Sequence, residues 1–201
     1  MQRFLRSTPT VDWESPGVRD LASRVAQDRD GPLSVARACF MWVRDQIPHT
    51  ADHHLGPVAC AASDVLELGT GFCYAKSHLL AALLRANGVP TGFVYQRLAV
   101  DERGTQFCLH GLNAVWLPAV GWYRLDPRGN RKDLHAEFDP PREVLPYACQ
   151  VPGERLFPGI WAEPLNIVTE ALTRHRTRAV LEANLPDASD LDRPSPTIVI
   201  R

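Results

Sequence analysis

Apolar residues recur every three to four positions through the first part of the chain, the spacing that places them on one face of a helix. A first helix is predicted to begin at Pro16, after the candidate N-cap Ser15, and to run to about Gln27. A second is predicted after Gly31 and must end before Pro48, because a residue that precedes proline disfavours helical backbone. Two amphipathic helices therefore open the predicted fold.

The next stretch, residues 48–62, shows no period and is predicted to be a loop. Ser63 is predicted to cap a short helical turn over residues 64–68. A longer helix is predicted from Cys73 to the Asn87-Gly88 pair, which is typical of a helix C-terminus. Because apolar residues cover most of its faces, we expect it to be the central helix of the fold.

After Pro90 the hydrophobic period changes to two, which indicates strands. Three strands are predicted, over residues 91–100, 106–117 and 122–126, joined by turns that contain glycine or proline. Strands that follow one another in this way form an antiparallel meander. Packed on the central helix, the meander gives an α+β fold.

Beyond the third strand the pattern weakens. Residues 131–186 are interpreted as a C-terminal extension, proline-rich and irregular until a final helix from about Asn166 to near Asn184. The tail, residues 187–201, is polar with prolines and is predicted to be poorly ordered.

The composition is typical of an ordinary globular protein, with 45% apolar and 22% charged residues and a formal net charge of −1. This balance gives no reason to expect nucleic acid or an anionic membrane as a partner. The sequence shows no signal-peptide pattern and no apolar run of membrane-spanning length, so we expect the cytoplasm. The chain 1–201 is interpreted as a single domain whose core spans about residues 15–130.

Five cysteines, an odd number without a Cys-x-x-Cys pair, fit neither a disulfide framework nor a zinc knuckle. Most of them, Cys108 included, are expected to be small buried hydrophobic residues. Cys73 differs, because it lies between a glycine-containing turn and the start of the central helix. Unpaired amides and the dipole of a helix N-terminus favour the thiolate, which is the nucleophilic form of cysteine. The sequence therefore predicts a reactive cysteine.

A nucleophilic cysteine needs a base, and the base needs a third group to orient it. His110 lies on the second predicted strand, and Asp126 ends the third. These two residues are directly opposite if the hairpin is centred on Pro118. A turn centred on Ala119-Val120 would instead offset them by three residues, roughly 10 Å along the strand. The sequence leaves both registers open.

With these residues in place, the chain resembles the transglutaminase-like superfamily, and in particular its bacterial cysteine protease branch. The order is a Gly-x-Cys motif, then a histidine that opens a strand, then an Asp-Pro pair that ends the next strand. The resemblance spans about residues 15–186, and the Cys73 motif is its most specific part. The other supporting segments are 62–66, 83–90, 152–154 and 181–186.

The resemblance implies a papain-like, transglutaminase-core fold with Cys73 as nucleophile, His110 as base and acid, and Asp126 as the orienting group. The backbone amides of Cys73 or Tyr74 are the expected oxyanion donors. The substrate would be an amide of a protein or peptide. Water would resolve the thioester in a protease or amidase, and an amine would do so in a transglutaminase. No cofactor is expected, and the oligomeric state stays open.

Several alternatives remain at this point. A side-chain oxyanion donor is left open among three upstream residues, Trp42, Gln46 and His49. Lys76 and His78 of the central helix either border the site or face solvent. An arylamine N-acetyltransferase-like enzyme would use the same nucleophile, and an interaction domain of this fold would have a cysteine that does no chemistry.

A metal site is the remaining alternative, because the loop after the second helix is rich in potential ligands. The candidate ligands are His49, His53, His54 and Cys60. Pro48 and the missing helical period favour a polar loop instead, and no acidic loop has the density that calcium requires. We therefore expect no metal.

Overall fold

The computed structural model describes residues 1–101 and 103–191. Of the tail that the sequence predicts to be poorly ordered, residues 187–191 fall within this range and residues 192–201 lie outside it. Within the described range, no helix is long and apolar enough to cross a membrane.

The described residues form six α-helices, and the first four follow the predicted order. Their bounds are α1 (Pro16–Ala26), α2 (Gly31–Gln46), α3 (Ala62–Leu68), α4 (Cys73–Ala86), α5 (Asn166–Arg174) and α6 (Arg178–Glu182). A short 3₁₀ turn, Gln2–Leu5, precedes them.

Two helix predictions need correction. Ser63 does not cap α3, which begins one residue earlier; the Asp64 carboxylate instead accepts the amides of Cys60 and Ala61, at 3.2 and 3.0 Å. The single final helix is two helices, α5 and α6, because the chain turns away between them. There the carbonyl of Arg176 accepts the Val58 amide rather than continuing a helical ladder.

The three predicted strands are present, and the extension adds three short ones. The bounds are β1 (Thr91–Ala99), β2 (Phe107–Leu117), β3 (Gly121–Leu125), β4 (Glu137–Asp139), β5 (Arg142–Val144) and β6 (Arg155–Leu156). An antiparallel sheet has the order β3-β2-β1-β6, and β4 pairs with β5 in a separate hairpin. The expectation of an irregular chain up to residue 166 was therefore wrong, since runs of two or three residues are too short to show a period.

The centre of the fold is α4, as predicted. All its residues from Cys73 to Arg85 are buried, because α1, α2 and α3 pack on one side of the helix and β1 and β2 on the other. The approach of β2 to α4 depends on Gly111, where an added Cβ would lie 2.9 Å from Cδ1 of Tyr74. A helix and a strand that lie this close bring the start of α4 beside the middle of β2.

Candidate active site

The thiol of Cys73 lies at the N-terminus of α4. The first helical hydrogen bond runs from the Lys76 amide to the Phe72 carbonyl, so the amides of Cys73, Tyr74 and Ala75 precede the ladder. Within the described part of the chain, no side chain caps this helix start. Cys73 is 8% exposed and lines a cavity of about 260 Å³. Free amides and an accessible thiol therefore meet at one end of the helix.

Two side chains of α4 hold the strand that carries His110. The Tyr74 hydroxyl donates to the carbonyl of Leu109, and the Ser77 hydroxyl donates to the carbonyl of Gly111, at 3.1 Å. These two carbonyls flank His110 on either side. The position of the imidazole relative to the helix start is thus fixed by buried hydrogen bonds.

The structure brings His110 and Asp126 together, with Nε2 of the imidazole 2.5 Å from Oδ2 of the carboxylate. The pairing of Leu117 with Gly121 centres the hairpin on Ala119, between the two predicted registers. The two residues are therefore offset by two positions rather than by none or three. An even offset keeps both side chains on one face, and diagonal neighbours about 7–8 Å apart along adjacent strands are within reach of long side chains.

The charges around His110 favour its protonated form. Burial by itself would lower the pKa of His110, but the Asp126 carboxylate and the Cys73 side chain outweigh burial and raise the pKa to about 10. Because Nε2 of His110 is taken by Asp126, Nδ1 is the ring nitrogen left for the Cys73 thiol. Asp126 is itself held, because its Oδ1 accepts the Arg128 amide at 2.9 Å.

His49 lines the same cavity and is the upstream residue that the structure places beside Cys73. The Thr50 amide donates to the Gly71 carbonyl at 3.1 Å, and the two segments pair as a parallel bridge at His49 and Gly71. The ring of His49 is 8% exposed, and its Nδ1 has no hydrogen-bond partner; the nearest carboxylate oxygen, on Asp52, is 3.7 Å away.

The environment of His49 keeps its ring neutral. Burial, followed by the positive charges of Arg128 and Lys76, lowers the pKa of His49 well below its usual value. A neutral imidazole still has one N–H donor. The other two upstream candidates are elsewhere: Gln46 is exposed, and Trp42 packs against the helical core.

Two residues of the site were not found from the sequence. The ring of Tyr147 packs edge-on against His110, with centroids 4.9 Å apart. The guanidinium of Arg128 lies 5.7 Å from the centre of the Tyr147 ring and donates through Nη2 to Asp52 at 2.8 Å. The position of Arg128 just after the Asp126-Pro127 pair is the one signal available for it. Tyr147 lies in a stretch without a period.

Lys76 and His78 do not face solvent. The Lys76 ammonium donates to the carbonyls of Ile47 and, at 3.3 Å, Arg44, and burial lowers the pKa of Lys76 to about 7. Nδ1 of His78 lies 2.7 Å from the Cys60 carbonyl, and burial lowers the pKa of His78 to about 4. Both side chains bond the carbonyls of neighbouring segments and do not line the cavity.

The structure also shows where the remaining candidate thiol and metal ligands lie. Cys108 is half-buried in the wall of the cavity and is not a core thiol. His53 and His54 are exposed, away from the buried His49. Among residues 1–101 and 103–191, no three side chains of the metal-binding types come close enough together to hold an ion.

Comparison with known proteins was made against families, curated proteins and solved structures. A model of the transglutaminase-like superfamily matches residues 19–127, which is more than half of the chain and includes Cys73, His110 and Asp126. The search of curated proteins found no match.

Solved structures match with low sequence identity. A candidate cysteine protease from Cytophaga hutchinsonii is 17% identical with a TM-score of 0.51, over 62% of this chain and 40% of that one. The periplasmic domain of TgpA from Pseudomonas aeruginosa is 23% identical with a TM-score of 0.48, over 63% of this chain and 46% of that one. This chain thus spans less than half of either. The family match and the Cytophaga likeness confirm the predicted α+β, transglutaminase-core fold.

Proposed function

Because the chain belongs to the transglutaminase-like superfamily, we propose that it is an enzyme in which Cys73 attacks the carbonyl carbon of an amide. The family and the fold support cysteine-based acyl chemistry in general. The observation that carries the specific proposal is the line from the helix-start thiol of Cys73 through the His110 ring to the buried Asp126 carboxylate. In this proposal the three groups act as nucleophile, base and orienting group.

In the first half-reaction, the thiol proton passes to Nδ1 of His110 and the thiolate adds to the amide carbon. With its pKa raised to about 10, His110 holds that proton at neutral pH and is ready to give it to the leaving nitrogen. The C–N bond then breaks, the amine leaves with the proton, and the acyl group stays on Cys73 as a thioester.

The negative oxygen formed during the attack needs donors. The amides of Cys73 and Tyr74 precede the helical ladder of α4 and are the backbone donors in this proposal. His49 is the side-chain donor in this proposal, because its neutral ring lines the same cavity as Cys73 and carries one N–H group. A fixed neutral donor stabilises a developing oxyanion without any reorganisation during the reaction.

The second half-reaction removes the acyl group from Cys73. Water gives a carboxylic acid, as in a protease or amidase, and a primary amine gives a new amide, as in a transglutaminase. The substrate in this proposal is a protein or peptide, and no residue in the described cavity wall calls for a cofactor.

The acyl-enzyme is the intermediate that tests the proposal. The protein is mixed with p-nitrophenyl acetate, quenched, and measured by intact and peptide mass spectrometry. We expect one acetyl group on Cys73, none on Cys73→Ala, and an unchanged yield on Cys149→Ala, which removes an exposed thiol. Acetyl spread over several thiols, or none, would favour the interaction domain.

A second experiment separates the two ways of resolving the thioester. A glutamine-containing peptide is incubated with the protein, with and without a primary amine, and its products are identified by mass. Hydrolysis gives the acid or shorter peptides in both samples, whereas transfer gives an amine adduct in one of them.

A further inference from the structure

Part of the cavity wall is apolar. This part is formed by the ends of two strands and by the C-terminal extension. The residues that line it are Leu98, Ala99, Cys108, Leu109, Ala148 and Leu185. At about 260 Å³, the whole cavity is below the range of about 300–1,000 Å³ that is typical of pockets for drug-sized ligands. It suits a small group.

The charged side chains that border this part are engaged with the protein itself. Both carboxylate oxygens of Glu154 accept backbone amides, among them that of Ala99 at 2.9 Å. Glu182 pairs with Arg178 at 2.5 Å. Among the described residues that line the cavity, His49 has the one buried side-chain N or O atom without a partner, at the catalytic end. The apolar part therefore presents no buried group that would recognise a charge.

The outer wall of this part is fixed in place by the chain after α6. The Pro186 carbonyl accepts the Leu109 amide at 2.7 Å, which extends the edge of β2. Asp187 pairs through both oxygens with Arg97, at 2.7 Å each. Leu185, just before these anchors, is thereby held in the cavity wall.

We propose that the group transferred to Cys73 carries a short, uncharged apolar chain next to the reacting carbonyl, and that this chain binds between Leu98, Cys108 and Leu185. The inference rests on the proposed function and names its substrate class. Each methylene that leaves water for an apolar wall gains about 0.8 kcal/mol, a factor of about four in binding. A charged chain would lose its hydration without finding a partner.

A series of p-nitrophenyl esters tests this directly. The Cys73 thiolate adds to the ester carbonyl, the C–O bond breaks, p-nitrophenolate leaves, and water then releases the carboxylic acid from the thioester. The rate with p-nitrophenyl acetate measures the acylation step without a contribution from chain binding, because the acetyl group is too short to fill the cavity. We expect kcat/KM to rise about fourfold per methylene from acetate to butanoate, and to be at least tenfold lower for the hemisuccinate than for butanoate.

A matched pair of variants places the effect in this cavity. Leu98→Phe fills the wall beside Cys108, and Val100→Leu changes a nearby residue, which is 55% exposed. Leu98→Phe is expected to remove the gain of butanoate over acetate, whereas Val100→Leu leaves that gain unchanged. Circular dichroism checks that both variants fold.

The possible results distinguish failure of the substrate class from failure of the proposed function. If Cys73 is acylated but esters of all acyl chain lengths react at equal rates, or the hemisuccinate reacts faster, the proposed substrate class is wrong and the proposed function still stands. If no ester acylates Cys73, the proposed function fails, and the substrate class fails with it.

Discussion

The two ends of the cavity are built in different ways. At the catalytic end, Cys73, His110 and Asp126 lie on or next to long elements of the core, and buried hydrogen bonds from Tyr74 and Ser77 tie those elements together. At the other end, the ends of β1 and β2 form only part of the wall, and the rest comes from loops of the extension, held by surface contacts such as the Arg97–Asp187 pair.

This difference has a functional consequence. Sites on rigid elements hold reacting groups within narrow tolerances, whereas loops tolerate change and adapt to ligands. We therefore expect substitutions at the catalytic end to lower the rates of all substrates alike. Substitutions in the extension should alter the order in which substrates are preferred.

The largest effect is expected from Asp126→Asn, because the carboxylate both orients His110 and raises its pKa. We expect kcat/KM to fall by about 10³–10⁴-fold for every ester in the series. Asn is close in size to Asp, so the melting temperature serves as the check that the fold is intact. A loss of rate with esters of only one acyl chain length would contradict the assignment of chemistry to one end of the cavity and selection to the other.

The same variant gives a test by pH. His110 is protonated below its folded pKa of about 10. The protonated form, which gives its proton to the leaving amine, is therefore lost as pH rises through that value. Hydrolysis of a peptide amide is expected to fall on the alkaline side near pH 10. In Asp126→Asn the main cause of the raised pKa is gone, so this fall should move to lower pH. An unmoved alkaline limb would mean that Asp126 does not act on His110.

His49→Phe is expected to have the next largest effect, because it removes the side chain that we propose as an oxyanion donor. Loss of one such donor typically lowers kcat by about 10²–10³-fold, with little change in KM. His49→Gln, which keeps a donor, is the matched control and should recover part of the rate. Equal activity of the two variants would assign His49 to packing alone.

Gly111→Ala tests the close approach of β2 to α4. The new Cβ would lie 2.9 Å from the Tyr74 ring and would push His110 away from Cys73. A shift of about 1 Å can cost up to about 10²-fold in rate. Gly17→Ala on α1, where the nearest atom is at an ordinary 3.5 Å, is the control; it should leave activity unchanged and should not lower the melting temperature, because alanine favours a helix over glycine.

The smallest effect is expected at the outer wall. Asp187→Asn weakens the pairing with Arg97 that holds Leu185 over the cavity. The rate with p-nitrophenyl acetate should stay within about twofold, while the preference for butanoate over acetate falls several-fold. A uniform loss with both esters would show that the extension supports the chemistry and not only selection.

The sequence predicted the catalytic end well, because long periodic elements carry it. The apolar pattern placed α4, and the alternation in β2 and β3 placed His110 and Asp126 on neighbouring strands with two registers open. The register was intermediate between the two that were considered, since the tight turn centres on Ala119. A residue count alone cannot resolve a shift of a single position in the turn.

The outer wall was not predictable to the same degree. Tyr147 and Leu185 lie in segments whose shape is set by contacts distant in sequence, such as Pro186 with Leu109. The two residues of β6 take their strand conformation from pairing with β1 rather than from any pattern of their own. His49 was one of three candidates, and only the pairing of its segment beside Gly71 distinguishes it.

The central claim is that the environment of Cys73, and not its exposure, makes it reactive, and a labelling competition tests it most directly. Iodoacetamide is added at neutral pH, and peptide mass spectrometry follows all five thiols over time. Burial raises the pKa of Cys39 and Cys108 to about 12 and that of Cys60 to about 11, and it also raises the pKa of the exposed Cys149. The account predicts that Cys73, at 8% exposure, is labelled before Cys149. Labelling of Cys149 first, with Cys73 reacting only after denaturation, would contradict it.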